Sequence, residues 1–244
     1  MQITGAIITK NEAANIKDCI LSLQKVCDEI IVLDSGSDDE TIAIAENLGA
    51  IISIENWQGF EHAKNRLNVL ASSNYVLNLD ADERLSDELS QSILSTKTKL
   101  NGAYSMNRLN NYCGTWIKHC GWYPDKKTRL FPKETLWKGG TLHEYPDVSN
   151  TTITHLKGDI LHYTYPTYED HFNKLEDYAS LGANKLKEKS KLYLSLKYWF
   201  SPLFKFIKMY FLKLGFLDGQ SGYLLCKTSA KGQKRKFAIA LGKK

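Results

Sequence analysis

Two aspartates spaced i and i+2, Asp80 and Asp82, follow directly on the apolar run Tyr75-Val76-Leu77-Asn78-Leu79. Residues two apart in a strand point to the same face, so at the strand end both carboxylates can turn toward one hard divalent cation. A cation held by carboxylates can also grip a diphosphate, which suits chemistry on a nucleotide-activated substrate. Solvated turns and helix N-caps are written with the same residues, so the pair acquires meaning only from its surroundings. Two further polar clusters follow apolar runs in the same way, Thr9-Lys10-Asn11-Glu12 and Asp34-Ser35-Gly36-Ser37.

The elements that must position these clusters are written in the first hundred residues. Runs 3–9, 29–34, 50–54 and 75–79 are apolar and β-branched; helical spacing covers 13–25, 39–48 and 60–71, and Ser86 is placed to cap a helix through Leu89 and Ile93. Such alternation predicts an α/β fold with a mostly parallel sheet flanked by helices, whose ligands bind outside the strand C-termini. All three polar clusters stand at such ends. Between 102 and 165, short strand-like pieces (103–109, 128–131, 159–163) predict an added antiparallel edge. Beyond Thr167 the chain reads as helical.

Composition is that of a globular protein, 244 residues with 43% hydrophobic and 11% aromatic content. The five cysteines form no Cys-x-x-Cys pair, and their odd number fits reduced thiols better than a disulfide framework. The first residues lack the basic flank and apolar core of a secretion signal, and no run reaches the roughly 18 apolar residues of a spanning helix. A cytoplasmic protein is expected. The net charge of +5 conceals an asymmetry, since the chain from Lys185 onward carries only Glu188 and Asp218 as acids among many lysines. An acidic front with a basic tail suggests that the tail meets an anionic surface. No groove-reading or base-stacking motif accompanies that charge, so nucleic acid is not the expected partner.

Four pieces, in order and on successive strand ends, resemble the family 2 glycosyltransferases of the GT-A fold. They are Ala6-Ile7-Ile8-Thr9-Lys10-Asn11-Glu12, Val32-Leu33-Asp34-Ser35-Gly36-Ser37-Asp38-Asp39-Glu40-Thr41, Ala63-Lys64-Asn65 and Leu79-Asp80-Ala81-Asp82-Glu83. Within that family the chain is most similar to lipopolysaccharide-core β-1,4-glucosyltransferases, through Gly140-Thr141-Leu142-His143-Glu144, His162-Tyr163-Thr164-Tyr165 and Gly215-Phe216-Leu217-Asp218-Gly219. The resemblance implies a catalytic domain over 1–165, with nucleotide-sugar binding in 1–100 and the acceptor side in 101–165, followed by a helical, basic, membrane-associating region over 166–244.

The resemblance also implies roles. Asp34 accepts a hydrogen bond from uracil, and Thr9, Asn11 and Glu12 line the same pocket. Asp80 approaches the ribose, Asp82 ligates Mg²⁺ or Mn²⁺, and His162 is a candidate to complete the metal shell. Lys64 stands where many relatives carry Arg, and supplies a point charge in place of a bidentate fork. An inverting transfer needs a base for the acceptor hydroxyl; Glu144 is the expected one, the competing reading being an ion pair with a lysine such as Lys138, with His143 either orienting it or simply packing, and Asp125 is the alternative base. Arg129 reads as a strand-edge salt bridge, with contact to the acceptor or a phosphate as the alternative. The expected reaction moves a hexose, glucose from UDP-glucose, onto an inner-core sugar of a lipid-linked saccharide. A nucleotidyltransferase would share the sheet and the aspartates, but the Gly-rich phosphate loop it needs after the first strand is replaced by Thr9-Lys10-Asn11-Glu12.

The tail sharpens the location. Leu203, Ile207, Tyr210 and Leu214 share one face of a helix expected to start at Pro202, with Lys205, Lys208 and Lys213 opposite. A basic amphipathic helix with bulky aromatics is built for an anionic membrane surface, which predicts a peripheral protein on the inner face of the inner membrane.

Overall fold

The computed structural model describes residues 1–140, 144–186 and 188–243. The expected alternation is present: β1 (Ile3–Thr9), α1 (Ile16–Gln24), β2 (Glu29–Asp34), α2 (Thr41–Asn47), β3 (Ile51–Ile54), α3 (Phe60–Leu70) and β4 (Tyr75–Asp80). Then come β5 (Glu83–Leu85), α4 (Asp87–Thr96), β6 (Ala103–Tyr112), β7 (Thr115–Ile117), β8 (Asp125–Pro132), β9 (Trp137–Lys138), β10 (Tyr145–Pro146) and β11 (Ile153–Tyr165). The chain ends in α5 (Tyr168–Asn184), α6 (Lys191–Ile207) and α7 (Gly219–Ala240).

The main sheet runs β3-β2-β1-β4-β8-β6-β11-β5, with β7 paired to β6. The first four strands are mutually parallel; β8 joins β4 antiparallel, and the antiparallel pairing continues through β8–β6 and β11–β5. The antiparallel portion is therefore larger than an added edge, and the sheet is mixed. Alternation along β1 explains its two-sided burial. Ile3 and Ile7 join Ile20 and Leu23 of α1 and Leu89 and Ile93 of α4, whereas Ala6 and Ile8 join Ala63 and Leu67 of α3. A strand buried on both faces has no polar side, and β1 reads as such.

Two local devices fix the approach to the site. Ser86 caps α4 as expected, its Oγ accepting from Leu89 N at 3.2 Å, and the same oxygen accepts from Asp159 N at 3.1 Å. Gly158 lets α4 come this close to β11, since a Cβ there would sit 2.3 Å from Leu89 N.

By internal contacts the chain forms two compact units, residues 1–108 with 125–162, and residues 109–124 with 163–244. The second unit has its own core of Tyr112, Ile117, Tyr165, Met209 and Leu225. Pro202 does not start a helix there. α6 begins at Lys191, capped by Ser190 Oγ accepting from Tyr193 N at 3.3 Å, and runs through the proline. The cost is the one bond that a residue-202 N–H would make to the Tyr198 carbonyl. A π-helical turn, Lys208–Leu212, follows, and Tyr210 packs against the second unit's core beside Phe206, their ring centroids 5.2 Å apart. No helix among the described residues is long and apolar enough to cross a membrane.

Candidate active site

Register brings the three polar clusters together. Thr9 lies opposite Asp34 and Ile8 opposite Asp80, so three neighbouring parallel strands end on one level. The loops beyond them are stitched to each other. Asn11, at φ 55°, donates its N–H to Ser37 Oγ at 2.8 Å, and its side-chain oxygen accepts from Asp38 N at 3.0 Å. Glu12 N donates to Thr41 Oγ1 at 2.8 Å, and the Glu12 carboxylate accepts from Asn15. Asp34, fully buried, accepts from Gly36 N and Ser37 N at 2.7 Å each and from Ser37 Oγ at 2.5 Å. Its carboxylate thus shapes the turn that follows β2. Thr9 Oγ1 is buried without a partner among the described residues, which leaves a hydroxyl for a ligand at the first strand end.

Asp80 and Asp82 diverge in role. Asp80 Oδ2 accepts from Arg129 Nη2 at 3.0 Å, and its Oδ1 lies 3.4 Å from Lys64 Nζ. Burial opposes its ionisation, but Arg129 and Lys64 outweigh that and hold the carboxyl well below the usual carboxylate range. Asp82 projects past this network. Because β5 pairs with β11 at Glu83↔His162, Asp82 Oδ2 meets His162 Nε2 at 3.2 Å.

Among the described residues no three acids, histidines or cysteines converge on a cation site. A carboxylate beside an imidazole nonetheless fits a divalent ion that takes its remaining ligands from phosphate oxygens and water.

Behind the aspartates runs an alternating chain of charge. Glu144 Oε1 pairs with Lys64 at 3.0 Å, Lys64 with Asp80, Asp80 with Arg129, and Arg129 with Glu83 at 3.1 Å. Glu83 pairs with Arg108 at 3.3 Å, and Arg108 with Asp125 at 2.8 Å. The two candidate bases sit at opposite ends of this chain. Lys138 pairs with Asp147 at 2.5 Å and leaves Glu144 to Lys64. His143 lies outside the described residues.

The Ala63-Lys64-Asn65 motif divides three tasks on α3. Ala63 packs under the sheet, and Lys64, 1% exposed, carries its ammonium 4.5 Å from the Trp137 ring centroid. Asn65 donates to Trp137 O at 3.0 Å and accepts from Trp137 N at 2.8 Å, imitating a strand partner for β9. The salt bridge expected of Arg129 is present, to Asp80 and Glu83, but inside the sheet and not at its edge, and the part played by Glu83 was not anticipated. Arg129 is buried, with Nη1 donating to Asn78 Oδ1 at 3.1 Å, and Glu83 is fully buried; both are the scaffold of Asp80. The signal that could have found them was a lone Asn78 inside an apolar strand, which needs a polar partner.

The glycosyl transferase family 2 model matches residues 6–149, which contain all of these groups except His162. The chain belongs to the family 2 glycosyltransferases. An uncharacterized glycosyltransferase of Rickettsia prowazekii is 31% identical to this glycosyltransferase over 236 residues, covering 91% of this chain and 81% of that one. The lipopolysaccharide core biosynthesis glycosyltransferase LpsC of Rhizobium meliloti is 26% identical, covering 94% of this chain and 88% of its own. The fold is shared with Staphylococcus aureus TarS 1-349 in complex with UDP-GlcNAc, at a TM-score of 0.50 and 14% identity over 100% of this chain and 93% of that one. It is shared also with Mycobacterium tuberculosis glucosyl-3-phosphoglycerate synthase in complex with Mn²⁺, UDP and phosphoglyceric acid, at 0.50 and 18% over 74% and 77%.

Proposed function

We propose that this glycosyltransferase is a divalent-metal-dependent, inverting hexosyltransferase that uses a UDP-sugar, UDP-glucose first among them, and glycosylates an inner-core sugar of a lipid-linked saccharide. The carrying observation is the meeting of Asp82 and His162 beside an Asp80 already neutralised by Lys64 and Arg129. A site whose inner aspartate is internally paired and whose outer aspartate faces an imidazole is prepared for one cation and a diphosphate.

Asp82 and His162 would hold Mg²⁺ or Mn²⁺, which when bound supplies charge neutralisation for the departing diphosphate. Thr9, Asn11, Glu12 and Asp34 would cradle the uridine, with Asp80 toward the ribose. Glu144 would accept the acceptor hydroxyl's proton as that oxygen bonds the anomeric carbon and the bond to UDP breaks. Asp125, tied by Arg108 and Lys127, is the weaker base candidate. Lys64, bridging Glu144 and Asp80, would position both the base and the inner aspartate.

The acceptor side is supported by the second unit. On α6, Leu192, Leu196, Trp199, Phe200, Leu203 and Ile207 form one exposed stripe, while the helix's buried residue, Leu194, lies roughly 170° away at 100° per residue. A soluble helix turns its apolar face inward. This one turns it outward between lysines, as an interfacial helix on an anionic bilayer does, consistent with a peripheral enzyme on the cytoplasmic face of the inner membrane. The LpsC likeness supports the lipopolysaccharide-core acceptor.

One assay decides the catalytic part: UDP release from a panel of UDP-sugars with Mn²⁺ or Mg²⁺ and a lipid-core acceptor, in wild type and Asp82→Ala. Release that requires metal and falls by about 10² or more in the variant is expected. Absence of metal-dependent UDP formation with every donor refutes it.

A further inference from the structure

Helices α5, α6 and α7 line an open pocket of about 350 Å³ within the second unit. Lys205 of α6 and Lys236 of α7 face it, with Ser229, Gln233 and His171 among its other polar lining residues. No carboxylate lines it, and neither lysine has an acidic partner among the described residues; the nearby Glu176 is taken by Arg235 at 2.8 Å. Lys205 is exposed, and Lys236 is half-buried with its ammonium 5.0 Å from the Phe237 ring centroid, so two positive charges face one pocket with no anion between them. Burial, aided by the charge of Lys205, pushes the Lys236 ammonium below its ordinary range. The chain nevertheless makes room for it. Gly182 of α5 lies beneath the lysine stem, where a Cβ would meet Lys236 Cδ at 2.7 Å. Burial pushes His171 down to about 4, so it adds no third charge at neutral pH.

We propose that this pocket binds a phosphate group, as a phosphomonoester or phosphodiester, held between Lys205 and Lys236 with hydrogen bonds from Ser229 and from the second amide hydrogen of Gln233, whose Nε2 already donates to Ser201 Oγ at 2.8 Å. Two point charges suit the several oxygens of a phosphate, and the volume exceeds a bare ion, leaving space for a small alcohol on the ester. The phosphate has two sources, a free metabolite or a lipid headgroup. Leu203 and Phe204, exposed beside Lys205 on α6, make a headgroup reachable from a bilayer. The site stands without the catalytic reading; the lipid source alone rests on the membrane reading.

The test uses the full chain, Lys205→Gln/Lys236→Gln together, and Lys227→Gln as a control on the same helix outside the pocket. Thermal shift and ³¹P NMR line broadening are recorded with inorganic phosphate and glycerol 3-phosphate against chloride at equal ionic strength. Co-sedimentation is recorded with phosphatidylglycerol and phosphatidylcholine vesicles. Saturable stabilisation by a soluble phosphate, weakened at least about tenfold in the double variant and unchanged in the control, supports the site with a free ligand. Silence to soluble phosphates but a tenfold loss of phosphatidylglycerol binding confined to the double variant supports it with a lipid. Binding to neither, or equal losses in the double variant and the control, overturns it. Catalytic activity enters none of these readouts, so failure here is separate from failure of the transferase reading.

Discussion

Replacing Arg129 by Met keeps the volume of the side chain and removes its charge and five donors. Three groups lose a partner at once: Asp80 Oδ2 at 3.0 Å, Glu83 Oε1 at 3.1 Å and Asn78 Oδ1 at 3.1 Å. Glu83 is fully buried and keeps Arg108 and the Asp80 N–H, which donates to its Oε2 at 3.0 Å; Asp80 keeps Lys64. Breaking a buried pair from one side costs about 3–5 kcal/mol, because the surviving charge stays desolvated. At roughly 2–4 °C per kcal/mol, the first unit should melt roughly 6–20 °C lower at pH 7. The pH dependence is the sharper readout. In wild type the folded Asp80 carboxyl lies below its unfolded value, so its contribution is present above the ordinary aspartate range and is lost as pH falls through that range toward the depressed folded value. In the variant an uncompensated carboxyl takes up a proton and relieves the strain. The stability gap between the two proteins should therefore narrow steadily from pH 7 to about pH 4. Arg129→Lys restores one charge without the fork and should recover only part of the loss. Urea melts across that pH range measure it. A gap below about 1 kcal/mol, or one that does not change with pH, would show that the charge chain is not closed in the folded protein.

Glu144→Gln keeps the contact to Lys64 but cannot accept a proton, and should lower kcat by about 10²–10⁴ with the donor KM little changed; Asp125→Asn should lower it far less, and the reverse order in a UDP-release assay exchanges the two roles. Trp199→Ser and Phe204→Ser, each at a residue 66% exposed, should leave the melting temperature alone yet weaken vesicle binding by roughly tenfold or more each, read by co-sedimentation in high salt where charge is screened. His171 in the folded state titrates at about 4, below its ordinary value, so the second unit should be most stable above pH 6.5 and lose about 3 kcal/mol as pH falls from there to 4. His171→Gln should flatten that slope in pH-dependent urea melts, because the titrating ring is gone.

The parallel half of the fold was legible because β1, β2 and β4 are buried on both faces, β3 being an exposed apolar edge, and its helices are punctuated by residues such as Ser86 and Gly49. The strand-end clusters were legible for the same reason: Thr9, Asp34 and Asp80 mark where an apolar run stops. What the sequence does not carry is pairing between distant segments. That β8 lies between β4 and β6, and so delivers Arg129 to Asp80, depends on a register written nowhere near residue 80. Arg129 in a Lys- and Thr-rich stretch looks like an exposed strand residue, and only the sheet order shows it buried. The pairing of Glu144 with Lys64, eighty positions apart, was equally invisible. The tail failed for a local reason, since Pro202 is tolerated inside α6 at the cost of one backbone bond.

Asn65 makes the spacing of α3 a ruler. Its amide occupies both main-chain groups of Trp137, and the ring of the same tryptophan carries the Lys64 ammonium, so β9 checks two consecutive residues of the helix against a single point. Inserting one residue between Phe60 and Lys64 would turn everything before it by about 100° relative to that clamp, uncoupling either the helix start or the lysine from its place. An insertion in the turn near Ser149 would disturb no such coincidence. Length variation in this protein should accordingly be tolerated in its turns and rejected in one helix of eleven residues.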